Sequence, residues 1–150
     1  MNDYIRQTEQ RLYAYNDLVA KRKRDLLDLA DLKNEGVIHR SRDILYRAVQ
    51  SSVSISPEEL WLMRINKLKM QMASDERELS RVKSAIASLR GDYYAKCITA
   101  KYLDGEGDEC VADELHCDVS TVRRNRKKLL HRIAVRLYGT DFMTVDVTIG

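Results

Sequence analysis

A chain of 150 residues with 44% apolar content can bury a real core, as one domain or two small units, so disorder is not the default expectation. One Pro, six Gly and 33% charged residues favour an all-α fold with many solvated helical faces, and no run approaches the roughly 20 apolar residues of a membrane span. The net charge is a modest +3, and the polar start MNDYIRQTEQ has no apolar signal core, so a cytoplasmic location is expected.

In chain order, Ile5, Thr8, Leu12, Tyr15, Val19, Arg22, Leu26 and Leu29 follow alternating steps of three and four, the seam of a coiled coil. Gly36 is the stop signal, after Asn34 and Glu35. A shorter periodic piece, Ser41 to Gln50, carries Ile44, Leu45, Ala48 and Val49 and leads into the serine-rich turn Ser51 to Ser54.

The next helix has a clear start: Ser56 can cap it, Pro57 fits the first helical position, and Glu59 completes a capping box. Its seam is Trp61, Ile65, Leu68, Met72, Asp75, Leu79, Val82, Ile86 and Leu89. Each long helix should exceed about 30 residues, or about 50 Å.

Folded antiparallel, the two seams place Ile5 by Leu89, Leu12 by Val82, Tyr15 by Leu79, Val19 by Asp75, Arg22 by Met72 and Leu26 by Leu68. Arg22 and Asp75 should then meet diagonally, a polar contact that fixes register at some cost in stability. Leu18, Leu27, Leu32, Leu60, Leu62 and Met70 fall off the seam. They offer a second apolar face, so a homodimer or higher homo-oligomer through the N-terminal helices is expected, against the plainer reading of a stalk. The run Lys21 to Arg24 reads as solvated surface.

Arg90-Gly91 divides a helical hairpin, 1–91, from a segment 92–138 and a tail 139–150. Asp92 can cap YYAKCITAKYL, where Tyr94, Cys97, Ile98, Tyr102 and Leu103 share a face, and the turn Asp104 to Gly107 closes it. A short helix, Asp108 to His116, keeps Val111, Ala112 and Leu115 on one side. After the turn His116-Cys117-Asp118, Asp118 caps a helix whose buried edge is Val122, Leu129, Ile133 and Leu137. A small Ala, a tight turn and a buried Val are what a helix-turn-helix needs.

Charge is polarised across that turn. Seven acids and no Lys or Arg lie between Asp104 and Asp118, while seven bases and no acid lie between Val119 and Tyr138. Ser120, Thr121, Arg123, Arg124, Lys127 and Lys128 point away from the buried edge, near the helix start, where such a helix meets base edges. Arginine can pair bidentately with guanine, and hydroxyls and lysines suit phosphates, so these six are the candidate DNA-binding residues. Arg126, Arg132 and Arg136 are expected only to solvate the helix.

Cys97, Cys110 and Cys117 are an odd number without disulfide spacing, as suits a reducing compartment, and they read as small core residues. Zinc bound by Cys110, His116, Cys117 and His131 would lack CxxC or paired-His spacing, so no metal is expected. No Gly-rich phosphate loop, based nucleophile or carboxylate cluster at metal spacing appears, and His39, His116 and His131 are scattered. Neither an enzyme nor a cofactor is expected.

DGEGDECVADELHCDVSTVRRNRKKLL resembles the fourth conserved region of bacterial sigma factors, the helix-turn-helix that reads the promoter −35 element. Together with Val49-Gln50-Ser51-Ser52 and Ala100-Lys101-Tyr102-Leu103-Asp104-Gly105, it looks closest to phage-encoded regulators of the ArpU type. The resemblance is strong over about residues 92–138 and looser over 1–91. It implies a transcriptional activator of phage or prophage genes in a bacterial host, at the nucleoid, with double-stranded DNA as partner and host RNA polymerase as a further candidate. Ser120, Thr121, Arg123, Arg124 and Lys127 carry over as DNA contacts.

The chain departs from that pattern at His116, where Gly is usual, at Cys117 and Asn125, where aliphatic residues are usual, and at Asp118, where Ser is common. The alternative is a protein-binding adaptor, such as an antirepressor or an inhibitor of a host protein, that keeps the helix-turn-helix as scaffold and uses the acids of 104–118 as its interface. A ring-forming packaging subunit is a minor DNA-binding option. The tail from Thr140 to Gly150 alternates enough for a short strand or an extended arm.

Overall fold

The computed structural model describes residues 3–51 and 55–140, with side-chain surroundings for 3–36 and 55–140, and over these residues the protein is all-α. In order come α1 (Asp3–Ser51), α2 (Pro57–Ala87), α3 (Lys96–Tyr102), α4 (Asp108–Leu115) and α5 (Val119–Tyr138). Among the described residues no helix is long and apolar enough to cross a membrane.

Gly36 ends the first of two helical segments that α1 joins across a kink, as its expected role as a stop requires. Its φ of 64° and ψ of −171° leave the helical path, and the backbone is helical again through to Ser51. A residue without Cβ takes that positive φ without steric penalty. The apolar face expected over 41–50, most of the serine-rich turn and the tail beyond Thr140 lie outside the described residues. At the start of α2 the Glu59 amide donates to Ser56 Oγ at 3.2 Å and the Leu60 amide to Ser56 O at 3.1 Å, so Ser56 caps as its sequence context predicts.

Contacts gather the chain into two compact units, one holding residues up to Leu18 with those from Glu78 on, the other Val19–Arg77. Within Val19–Arg77, Trp61 Nε1 donates to Leu32 O at 2.9 Å, Lys21 pairs with Asp75 at 2.5 Å and Arg22 with Glu76 at 3.1 Å. Numbers rise along α1 as they fall along α2, so the segments run antiparallel here.

The expected Arg22–Asp75 contact is not made, because Lys21 takes Asp75 and Arg22 takes the next acid. Leu26, placed on the seam by its heptad position, is 49% exposed, and Asp25 is buried in its stead. Past Arg22 the buried line has moved back by one residue, to Asp25 and Leu32. The buried carboxylate is tolerated because Lys21 Nζ also reaches it, at 2.8 Å.

In the other unit one core joins Ile5 and Leu12 of α1, Val82 and Ala85 of α2, Leu89 just beyond it, Ile98 and Tyr102 of α3, and Leu129, Leu130, Ile133 and Ala134 of α5. The expected partners Ile5 and Leu89, and Leu12 and Val82, fall in this one cluster. Its rim is polar but closed. Tyr102 donates to Glu9 Oε1 at 3.1 Å, and Asn16 Nδ2 donates to Leu103 O at 2.8 Å. Tyr4 and Tyr138 pack with their rings tilted by 59° and their centroids 5.3 Å apart, with the Arg11 guanidinium 5.2 Å from the Tyr138 ring and paired to Glu78. Burial pushes the Tyr102 phenol far above its ordinary value.

Candidate nucleic-acid interface

The candidate face is built on α4, the turn His116–Asp118 and α5. A second core of Cys97, Ala100, Val111, Ala112, Leu115 and Val122 ties α3, α4 and α5 together, with Tyr94, Cys117 and Val119 packed on it. Small residues at positions 97, 100 and 112 let the three helices approach closely.

α4 ends on His116, which sits in the left-handed region at φ 55° and ψ 47°. The His116 amide donates to Asp113 O at 3.3 Å and the Cys117 amide to Ala112 O at 3.0 Å, satisfying the last carbonyls of α4. Tyr93 Oη adds a hydrogen bond to Leu115 O at 2.8 Å. A non-glycine residue pays about 1 kcal/mol for this conformation, and glycine returns part of that in chain entropy. His116→Gly is therefore expected to raise stability by about 0.5 kcal/mol, lifting the thermal midpoint by about 2 °C in a circular dichroism melt. A lowered midpoint would refute this account of the turn.

Asp118 holds the N-cap position of α5 in extended geometry (φ −82°, ψ 156°), but its side chain makes no capping hydrogen bond. Inward from it, α5 buries Val122, Arg126, Leu129, Leu130, Ile133 and Ala134, while Leu137 is only half-buried. On the opposite edge Ser120, Arg123, Arg124, Lys127 and Lys128 are exposed and Thr121 is half-buried. The six candidate residues thus lie on α5 within one helical stretch, its four cations in solvent. Asn125, the departure from an aliphatic residue, is half-buried and donates through Nδ2 to Thr121 O at 2.9 Å, so its amide is answered within its own helix.

Arg126 overturns its expectation. It is not a solvated cation: only 6% of it is exposed, its terminal nitrogen pairs with Asp108 Oδ1 in the first turn of α4, and its Nε lies 3.4 Å from Cys97 O. The other Asp108 oxygen accepts from Arg123 Nε at 3.1 Å. One carboxylate therefore holds two guanidiniums of α5, one buried and one at the candidate face. Arg132 is exposed and paired at 3.0 Å with Asp92, which also accepts from the Tyr94 amide at 2.8 Å. Sequence reasoning missed Asp108 altogether, reading it as one acid in a run of seven. The available signal was Arg126, four residues past Val122 and three before Leu129, on the apolar stripe.

The hydrogen bond from Arg126 holds the Asp108 carboxyl below its ordinary value, working against desolvation and helped by Arg123. A depressed folded-state pKa contributes stability that is complete above the unfolded value, near pH 4, and is lost as pH falls through the folded value. Urea midpoints between pH 5 and pH 2.5 should fall more steeply for the wild type than for Asp108→Asn. Parallel curves would show that Asp108 titrates alike in both states.

Of the cysteines, Cys97 is buried and serves the core as expected and Cys117 is half-buried beside it, but Cys110 is exposed and takes no part in packing. The structure sets Cys110 with Glu106 and Glu114, their ligand atoms within 4.8 Å of one another, instead of with His116, Cys117 and His131. The charge of Glu106, followed by desolvation and Glu114, raises the Cys110 thiol, and Lys96 already pairs with Glu114.

No protein-family model, curated protein or solved structure matches this chain.

Proposed function

We propose that the chain is a sequence-specific DNA-binding transcriptional regulator of phage or prophage genes, acting as an activator at promoters in the bacterial cytoplasm, with α4 and α5 as its helix-turn-helix. The observation that carries this reading is the division of α5 into two edges. Val122, Leu129 and Ile133 are buried, while Arg123, Arg124, Lys127 and Lys128 stand in solvent with Ser120 beside them. A rigid cationic helix edge of this kind neutralises phosphates and can reach base edges in a major groove. The likeness of residues 92–138 to the fourth conserved region of sigma factors supports the same reading, and it makes host RNA polymerase a second partner.

Self-association through the long helices belongs to this proposal. Within Val19–Arg77, Leu27, Leu62, Met63 and Met70 expose apolar area that a second copy would cover. The test is selection of duplexes by the full-length chain from a random-sequence library. One enriched motif is expected; recovery of no sequence above background would overturn the assignment.

A further inference from the structure

Resting on the DNA-binding reading, we infer that Arg123 reads a guanine and that Asp108 is the positioning residue that braces it for that contact. Arg123 is 69% exposed on its side chain, yet its guanidinium is anchored through Nε to Asp108 Oδ2 at 3.1 Å. Among the described residues no other group engages its two terminal nitrogens. They form a pair of parallel N–H donors that matches O6 and N7 of guanine across the major groove.

Asp108 is itself held. It lies in the first turn of α4, 19% exposed on its side chain, with its other oxygen on the buried Arg126. The brace is therefore tied to the core rather than to a mobile surface group. Of the four exposed cations, Arg123 is the one that a described carboxylate restrains. A long side chain already fixed in direction loses less freedom on binding, and that advantage counts for a contact of fixed geometry far more than for a diffuse phosphate contact. The same carboxylate offsets much of the charge of Arg123 and Arg126, which weakens attraction to phosphate at this point and leaves that work to Lys127 and Lys128.

The motif enriched by the wild-type chain should contain an invariant guanine. Replacing that base with 7-deazaguanine, which lacks the N7 acceptor, should weaken binding at least about tenfold. Arg123→Lys keeps the charge and leaves the Asp108–Arg126 pair in place, and should lose about tenfold discrimination at that base pair alone. Asp108→Asn should lose discrimination at the same base pair, and the double variant no more than Arg123→Lys.

The inference is overturned if the Arg123→Lys motif keeps full preference for every guanine, if Asp108→Asn weakens all duplexes equally, or if the two losses add. Should Asp108→Asn alone not fold, Asp108→Asn/Arg126→Met, which has no buried cation left to compensate, gives the same readout against Arg126→Met. A wild-type chain that enriches no motif defeats the DNA-binding reading itself. A motif insensitive to both substitutions defeats only the assignment of Arg123 and Asp108.

Discussion

Replacing Arg126 with alanine is expected to destabilise the protein by about 3 kcal/mol, the lower end of what removing one partner of a buried ion pair costs. The lower end applies because Asp108, left behind, is 19% exposed on its side chain and keeps Arg123. At about 2 to 4 °C per kcal/mol for a chain of this size, the thermal midpoint should fall by about 10 °C. The loss comes mainly from stranding a carboxylate, so it should be reversible by taking that carboxylate away. Asp108→Ala/Arg126→Met removes both charges and keeps an apolar stem against Cys97, and should recover most of the stability. A cycle of the single and double variants followed by urea unfolding measures this, and simple additivity would show that the two side chains do not depend on each other.

The second large effect concerns binding. Neutralising Lys127 and Lys128 should weaken association with every duplex and flatten its salt dependence, each phosphate contact contributing about 0.9 to the slope of log affinity against log salt. Removing Arg123 or Arg124 should instead reduce the gap between the selected site and a scrambled one, by about 1 to 3 kcal/mol for a bidentate base contact. All four are exposed, so none of these changes should shift the melting temperature appreciably. Fluorescence anisotropy with both duplexes across a salt series separates the two outcomes. If the chain with all four replaced still binds its selected site as the wild type does, α5 is not the reading helix.

Much of the architecture was legible because local chemistry and pattern agreed. Ser56 and Pro57 start α2 where a capping oxygen and a fixed φ demand it, and the turn after Leu115 falls where the periodicity breaks. The seam residues Ile5, Leu12, Val82 and Leu89 fall in one core, where their seven-residue spacing keeps each on one face of its helix. Beyond Arg22 the heptad reading misled, because Lys21 pairs with both Asp25 and Asp75 and the buried line falls on Asp25 in place of Leu26. The exposed edge of α5 could be read because charged residues at helical spacing, opposite an apolar stripe, have little choice of direction.

What was hidden depended on partners far along the chain. An arginine on an apolar stripe announces that some acid must meet it, but nothing in the run from Asp104 to Asp118 singles out Asp108. The break at Arg90-Gly91 is a real turn, yet the core passes across it, and no local signal reports that Leu12 and Ile133 share an interior.

The aromatic clasp of Tyr4 on Tyr138, beneath Arg11, bears on how this molecule can be dissected. Cutting at the glycine that looks like a natural joint would strip Leu129, Ile133 and Ala134 of their cover from the opening turns of the chain. The severed piece would be greasy on its inner side and inclined to clump. A fair test of the proposed nucleic-acid binding therefore requires the opening turns and the closing helix to travel together, however far apart they are written.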